Sequence, residues 1–364
     1  MKGVAVLGST GSIGESALAV LRRHPERFRV VALTARSNAD RLREQAAEFR
    51  PEYSGLVNGV ASCLVEAATR PDVDIVLNAV VGFAGLDATL AALRAGKRVA
   101  LANKESLVTA GPLVLEAARA GGGEIVPVDS EHSAVLQCLA GSRSAPTRLV
   151  LTASGGPFRT WEADRIAAAT VDQALKHPTW RMGSKISVDS ATLVNKALEI
   201  IEAHFLFGLP YDRLDVVVHP QSVVHAFVEF DDGSVLAQLG VPSMELPILY
   251  ALTWPERVGD AGTRRFDPLS AGPLTFERVR HDVFRGFAVG VDMGRKGGSA
   301  PTVFNAANEA AVAAFLQGAV PFGRIAELIE RVSDEHVVEA VETVEAVRAA
   351  DAWARARVGE LLGE

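Results

Sequence analysis

Cysteine is scarce in this 364-residue chain: Cys63 and Cys138 stand far apart and form no Cys-x-x-Cys pair. That excludes a disulfide framework and a thiolate zinc site, and it fits a reducing compartment. No apolar run approaches the roughly 18 residues that suggest a membrane helix. After Met1-Lys2 the chain enters Gly3-Val-Ala-Val-Leu-Gly8, too short for the hydrophobic core of a secretory signal. A cytoplasmic protein is therefore expected. Basic residues are outnumbered, 37 against 44 acidic, and are scattered, which argues against a nucleic-acid surface. The expected partners are small molecules, with no nucleic acid and no membrane. Internal repeats and low-complexity tracts are also missing.

The chain is too long for one ordinary core. Strand-like and helix-like segments alternate in its first part: Val4 to Leu7, a helix from about Ile13 to Arg23, Arg29 to Thr34, and a helix from about Ala39 to Phe49. The alternation continues through Val73 to Val81, Leu86 to Ala95, Lys97 to Ala102, a helix over Leu113 to Ala120, and Glu124 to Val128. This order predicts an α/β fold with an N-terminal Rossmann-like parallel sheet, whose buried strands read as continuous apolar runs. After residue 130 the pattern changes. A strand at Arg148 to Ala153 and a helix from about Ala191 to Phe207 precede strands at Val216 to Val218, Val223 to Phe230 and Val235 to Leu239. The last two flank Asp231-Asp-Gly-Ser, a hairpin signal. Helical spacing returns at Asn305 to Gln317, Arg324 to Val332 and Val337 to Leu362. The expected organisation is a dinucleotide domain over 1–130, a central α/β catalytic and dimerisation domain with a mixed sheet over 131–256, a connector over 257–285, and a C-terminal helical bundle over 286–364.

Gly8-Ser-Thr-Gly11-Ser-Ile-Gly14 lies between the first strand and the first helix. Glycines there allow a tight turn and close approach of backbone to a pyrophosphate resting on the helix N-terminus. The second strand ends near Thr34, where NAD-selective sites place an acid for the ribose 2′-hydroxyl. Here Arg36, Ser37 and Asn38 follow instead. A guanidinium and a hydroxyl suit a 2′-phosphate that a carboxylate would repel, which favours NADPH. The plain alternative is an exposed arginine.

Asn103, Lys104 and Glu105 follow the strand ending at Ala102, at the carboxyl edge where ligands of such sheets collect. Lys104 could hold a substrate oxygen, and a surface turn is the competing reading. Asp129 and Glu131 come two apart after the run Glu124-Ile-Val-Pro-Val, so at a strand end they would point the same way. Asn195, Lys196 and Glu199 share one side of a helix through their spacing. Three carboxylates without nearby Cys suggest a hard cation, Mg²⁺ or Mn²⁺; a solvated turn and a helix salt bridge are the bland alternative. Thr152-Ala-Ser154-Gly-Gly-Pro157 has the makings of an anion nest, and with Ser190, Asn195 and Lys196 it could enclose a phosphate. His177-Pro-Thr-Trp180-Arg-Met-Gly183 reads as a lid loop. His219 and His225 read as satisfied structural histidines.

Taken in order, GSTGSIG at 8–14, ANKESLV at 102–108, PVDSEHSA at 127–134, LTASGGPF at 151–158, HPTWRMGSKISVDSATLVNKALE at 177–199, HPQSVVHAF at 219–227 and NAANEAAVAAFL at 305–316 closely resemble the 1-deoxy-D-xylulose 5-phosphate reductoisomerase family. The likeness covers nearly the whole chain, and its later blocks are not generic to dinucleotide-binding proteins. It implies an NADPH-dependent enzyme of the non-mevalonate isoprenoid pathway, acting by rearrangement and then reduction to 2-C-methyl-D-erythritol 4-phosphate. It further implies a divalent metal (Mg²⁺, Mn²⁺ or Co²⁺) on Asp129, Glu131 and Glu199. Substrate contacts would come from Lys104, Ser130, Glu131 and Glu199, phosphate contacts from Ser154, Ser190, Asn195 and Lys196, and His177 from a closing loop. Thr10, Gly11, Ser12, Ile13, Asn38, Asn103, Glu105 and Gly183 would touch NADPH, with Lys104, Asp129, Glu131, His177 and Glu199 carrying the chemistry and a homodimer as the assembly. Arg36-Ser37 departs from the family's usual Gly followed by a basic residue, and residues 257–300 match weakly. Competing readings are a non-catalytic dinucleotide-sensing regulator, which needs no metal beside a phosphate pocket, and a semialdehyde dehydrogenase, which needs an activated cysteine.

Overall fold

A computed structural model describes residues 1–58, 62–180 and 182–363. Arg181, in the segment expected to form a lid, lies outside the described residues. The chain forms two compact units, one of residues 1–106, 111–141 and 243–266, the other of residues 107–110, 142–242 and 267–364. No helix among the described residues is long and apolar enough to cross a membrane.

The first unit strings together β1 (Lys2–Leu7), α1 (Ser12–Arg23), β2 (Phe28–Ala35), α2 (Ala39–Phe49), β3 (Tyr53–Leu56), α3 (Ser62–Thr69), β4 (Ile75–Asn78), α4 (Leu86–Arg94), β5 (Arg98–Leu101), α5 (Lys104–Gly121), β6 (Glu124–Pro127) and α6 (Ser130–Leu139). Its six strands pair in parallel in the order β3-β2-β1-β4-β5-β6, as the α/β alternation predicts. The buried runs Val4 to Leu7 and Ile75 to Leu77 are apolar throughout, the signature of strands covered on both faces. The order reverses at β1, where doubly wound sheets place their ligand crevice. Register matters more than order here. Leu7 pairs with Thr34 and with Asn78, Asn78 with Leu101, and Leu101 with Pro127. The segments after these strands therefore leave from one edge: Gly8 to Gly14, Arg36 to Asn38, Asn103 to Glu105, and Asp129 to Glu131.

Several boundaries differ from expectation for local reasons. The helix expected over 113–120 begins at Lys104 and bends at Ala110 (φ −139°, ψ 30°), two residues before Pro112. Gly111-Pro112 reads as a helix start in sequence, whereas the proline sits inside a kinked helix. The strand expected over 73–81 keeps only Ile75–Asn78. The elements β3 and α3 are too short to carry a clear period, and α11 (Glu245–Thr253) is apolar on nearly every side, so periodicity does not mark them. Ile248, Leu249, Ala251 and Leu252 of α11 join the core built on Leu18 and Leu21 of α1.

In the second unit β7 (Arg148–Ala153), β8 (Leu214–Val218), β9 (Val224–Glu229) and β10 (Val235–Leu239) form a mixed sheet in the order β10-β9-β7-β8, parallel between β7 and β8 and antiparallel elsewhere. The hairpin expected at Asp231 to Ser234 joins β9 to β10. Between β7 and β8 run two short helices, α7 (Ala163–Ala167) and α8 (Val171–Ala174), then α9 (Ser184–Ala191) and α10 (Val194–Phe207). The expected helical bundle is present, with α12 (Arg285–Lys296), α13 (Ala300–Leu316), α14 (Gly323–Glu335) and α15 (Val344–Gly363). Helix α12 lacks a sequence forecast because three glycines interrupt it; Gly290 lies where a Cβ would meet Phe304 and Ala197. Residues 337–343, expected to be helical, are not.

One close approach governs the turn after β1. A Cβ on Gly14 would lie 2.4 Å from the Gly8 carbonyl oxygen and 2.5 Å from Ser9 Cα. Alanine is the better helix former by about 1 kcal/mol, but both of those neighbours are backbone and must move. Gly14→Ala is expected to destabilise the chain by about 1–3 kcal/mol net, read as a lower urea midpoint at unchanged slope.

Candidate active site

The glycine turn is held from below by main-chain bonds and from the side by two residues that the sequence reading did not single out. Gly8 and Ser9 N–H both donate to the Thr34 carbonyl. Ser9, fully buried, donates from Oγ to Gln45 Oε1 at 2.7 Å, and Gln45 Nε2 returns a bond to the Ser9 carbonyl at 3.0 Å and one to Glu15 Oε1 at 2.9 Å. Glu15 also takes a bidentate pair from Arg41 at 2.6 and 2.8 Å, which holds its carboxyl below the usual range. Helix α1 starts under this turn with Gly11 as cap and no side chain filling the cap, an N-terminus suited to an anion. Gly11 and Ser12 are exposed, Thr10 and Ile13 half-buried. After β2, Arg36, Ser37 and Asn38 are exposed and no acid stands there. Asn38 also has a structural task, its Oδ1 accepting from Arg41 N–H at 3.1 Å to cap α2. These residues fit an NADP-type dinucleotide better than an NAD-type one.

At the end of β5 the surface-turn reading fails, because Asn103, Lys104 and Glu105 are all buried. The Asn103 amide donates to the carbonyls of Val80 and Gly82, both at 2.8 Å, and to Glu105 Oε2 at 3.1 Å. It thereby clamps the loop after β4. Lys104 Nζ donates to Asp129 Oδ2 at 3.0 Å. Asp129 and Glu131 are brought together differently from the strand-end geometry expected. The strand stops at Pro127, and Asp129 is the N-cap of α6, its Oδ1 accepting from Glu131 N–H at 3.1 Å. Capping sets both carboxylates at a helix N-terminus, where the helix dipole favours negative charge. Ser130 Oγ donates to Glu131 Oε2 at 2.8 Å, and His132 Nδ1 lies 3.6 Å from Asp129 Oδ1.

The second unit holds the remaining groups. The helix expected from about 191 to 207 is α10, which starts three residues later at Val194; Leu193 takes a left-handed conformation (φ 59°) at its start and separates it from α9. This is a costly state for a buried leucine. Past the break, Asn195 Nδ2 and Lys196 Nζ both donate to the Glu199 carboxylate, the shared helix side that the spacing predicts. Glu199 is 1% exposed. Ser190 lies in the last turn of α9, and a Cβ on Gly156 would lie 2.6 Å from the Ser190 carbonyl, so the turn after β7 rests on the C-terminal end of α9. Gly156 N–H donates to Ser154 Oγ at 3.2 Å, in keeping with an anion nest. His177 reaches the same serine: its Nε2 lies 2.8 Å from Ser154 Oγ, while Nδ1 accepts from Thr179 and Trp180 N–H. Two accepted bonds assign the proton to Nε2, and burial pushes the imidazole pKa down to about 4. Gly183 caps α9. His219 is structural as expected, Nδ1 bonding the Thr275 carbonyl at 2.9 Å and Nε2 accepting from Val223 N–H. Burial raises the Cys138 thiol pKa, the opposite of what an activated nucleophile requires.

Comparison with known proteins covers almost the entire chain. The sequence profile of 1-deoxy-D-xylulose 5-phosphate reductoisomerase matches residues 4–111, that of its C-terminal domain 125–207, and that of the DXP reductoisomerase C-terminal domain 239–357. The chain is 48% identical to the 1-deoxy-D-xylulose 5-phosphate reductoisomerase of Synechococcus sp. (strain JA-2-3B'a(2-13)), over 99% of this chain and 97% of that protein. It is 47% identical to that of Geotalea uraniireducens (strain Rf4), over 100% and 99%. A crystal structure of DOX-P reductoisomerase with NADPH, fosmidomycin and magnesium superposes with a TM-score of 0.95 at 39% identity, covering 100% of this chain and 98% of that one. The Zymomonas mobilis enzyme with NADPH gives 0.91 at 41% identity, covering 99% of each chain.

The His177 environment carries a pH signature. Unfolded, the imidazole takes up its proton near pH 6.5; folded, it resists until about pH 4. Over that interval the unfolded state binds more protons, so His177 removes stability as the pH falls through it and contributes no further loss below. Wild-type Tm should fall more between about pH 7 and pH 4 than that of His177→Gln, by scanning calorimetry. Parallel falls would refute the assignment.

Proposed function

The chain belongs to the 1-deoxy-D-xylulose 5-phosphate reductoisomerase family, and from that membership we infer that it converts 1-deoxy-D-xylulose 5-phosphate to 2-C-methyl-D-erythritol 4-phosphate with NADPH and a divalent cation. The observation that carries this reading is the pairing of acids of low exposure with ammonium groups. Lys104 is bonded to Asp129 in one unit, and Lys196 and Asn195 to Glu199 in the other. Such partners keep carboxylates ionised at low exposure, the state a hard cation needs.

We assign the cation to Asp129, Glu131 and Glu199, one carboxylate oxygen from each, with Mg²⁺, Mn²⁺ and Co²⁺ as the candidates. When bound there, it would chelate adjacent substrate oxygens and stabilise the charge that develops as the carbon–carbon bond breaks and re-forms. NADPH, which supplies the hydride, is assigned to Thr10, Gly11, Ser12 and Ile13 at the helix start, with Arg36, Ser37 and Asn38 toward the 2′-phosphate and Asn103, Glu105 and Gly183 around it. Lys104 and Ser130 hold substrate oxygens. Ser154, Ser190, Asn195 and Lys196 bind the phosphate, and His177, neutral and carrying its proton on Nε2, is a donor in that group. The segment from His177 to Gly183 closes over the site and excludes water, so that remote phosphate binding energy serves the reacting centre. The raised Cys138 pKa disfavours the semialdehyde dehydrogenase reading.

We also propose a cytoplasmic homodimer. Strand β10 lies at the edge of its sheet and exposes Val235, Leu236 and Leu239. An apolar open edge is a ready template for a second copy. Light scattering coupled to gel filtration should give a dimer mass for the wild type and a monomer for Leu236→Lys; a monomeric wild type at about 10 μM would refute the assembly.

For the chemistry, NADPH oxidation should depend on 1-deoxy-D-xylulose 5-phosphate, stop on adding a chelator, and return with Mg²⁺ or Mn²⁺. Glu199→Gln, nearly the same shape with one charge fewer, should lower kcat/KM by about two orders of magnitude or more. Turnover insensitive to the chelator would defeat the cation assignment.

A further inference from the structure

The phosphate-binding groups assigned above sit on a junction with little stability of its own. Helix α9 has eight residues, Ser-Lys-Ile-Ser-Val-Asp-Ser-Ala. Serines and β-branched residues are indifferent helix formers, and an isolated helix of two turns does not persist in water. Its last turn carries Ser190, and the left-handed Leu193 follows before Asn195 and Lys196 open α10. The turn at Gly156 rests on the Ser190 carbonyl. A small rotation of α9 would therefore displace several phosphate donors together.

One buried polar contact opposes that rotation. Asp189, 1% exposed, precedes Ser190, and its Oδ1 accepts from Asn308 Nδ2 at 2.9 Å while its Oδ2 meets Lys185 Nζ at 2.8 Å. Asn308 lies on α13 and is itself fully buried, among the alanines Ala307 and Ala311. An amide placed in an apolar helix face costs desolvation that packing alone would avoid, and its return is a unique geometry. The bond fixes the angle of α9 about its own axis, which smooth alanine packing leaves free. The block NAANEAAVAAFL, to which the catalytic reading assigns no role, supplies that amide.

We propose that Asp189 and Asn308 are positioning residues for the sugar-phosphate: their bond locks the α9–α10 junction so that Ser190, Asn195 and Lys196 converge on the phosphate. The proposal rests on the phosphate assignment made above. Neither residue needs to touch the substrate.

The test is steady-state kinetics of full-length Asn308→Leu, which keeps the branched shape at somewhat larger volume and removes the donor, beside Asn308→Ala, which folds with less demand on packing. KM for 1-deoxy-D-xylulose 5-phosphate should rise about tenfold while kcat changes less than about threefold. The affinity for inorganic phosphate, by calorimetry, should fall in parallel, and that for NADPH, by fluorescence titration, should not. General loss of fold would lower both affinities. The reciprocal swap Asp189→Asn with Asn308→Asp, which restores a donor and an acceptor, should recover part of the lost phosphate affinity. Unchanged phosphate affinity and KM in a folded Asn308 variant would overturn the proposal. A wild type that binds phosphate but does not turn over the sugar-phosphate would instead defeat the reading of function, and a fall in phosphate affinity in the variants would then still support the anchor.

Discussion

Burying a carboxylate without a cationic or hydrogen-bonding partner costs several kcal/mol, and the catalytic reading needs three acids kept ionised at low exposure. Asp129 in one unit and Glu199 in the other each meet a lysine, and Glu131 accepts from Ser130 Oγ. Lys104 opens α5 and reaches the N-cap aspartate of α6. Lys196 lies one turn before Glu199 on α10. Pairing of this kind contributes little to stability, since apolar residues of equal volume would serve as well. Its value lies in holding an acid and an ammonium side by side within each unit.

The fold delivers those charges through backbone features rather than long side-chain reach. In the first unit, matched strand ends put four loops on one edge, and all four run into helix N-termini, those of α1, α2, α5 and α6, whose dipoles favour negative groups. The Asp129 cap shows the economy of this arrangement: one oxygen satisfies an orphan N–H of α6 while the other meets Lys104. In the second unit the delivery is by strain. A leucine held at φ 59° stands between α9 and α10, and the break changes the chain direction between Ser190, against which the Gly156 turn rests, and Asn195 and Lys196. Left-handed leucine persists only where its surroundings over-determine it, and here its side chain is buried in the core.

Much of this was legible in the residues themselves. The alternation of segments gave the parallel sheet, and the spacing of Asn195, Lys196 and Glu199 gave their shared side. The glycine run gave its turn. Three things were hidden, each for a physical reason. Leu193 has no compositional mark, because glycine or asparagine is what ordinarily announces a left-handed residue. Helix α5 was misplaced because Gly111-Pro112 looks like a boundary, and only tertiary packing carries a helix through a proline. Gln45, which ties the glycine turn to α2, sits on a polar helix whose mean character points to solvent; its burial is a property of the register between α1 and α2, not of its own segment.

The two units also divide tolerance to change. Where main-chain groups bind, as at the Gly8 to Gly14 turn, the restriction is steric: side chains nearby can vary so long as no Cβ enters the backbone contact. In the proposed phosphate site on α9 and α10 the restriction would be angular, because a hydroxyl, an amide and an ammonium must converge, and convergence depends on how each helix is rotated. Angular precision in a two-turn helix has to be imported from rigid neighbours. On the proposed positioning role, that is why the long, alanine-rich helix α13 carries a buried amide at Asn308. Thr302, Asn305 and Asn308 are fully buried, with Thr302 bonded to the Thr109 carbonyl and Asn308 to Asp189. A helix whose task was packing alone would place leucine or alanine at those positions and be the more stable for it.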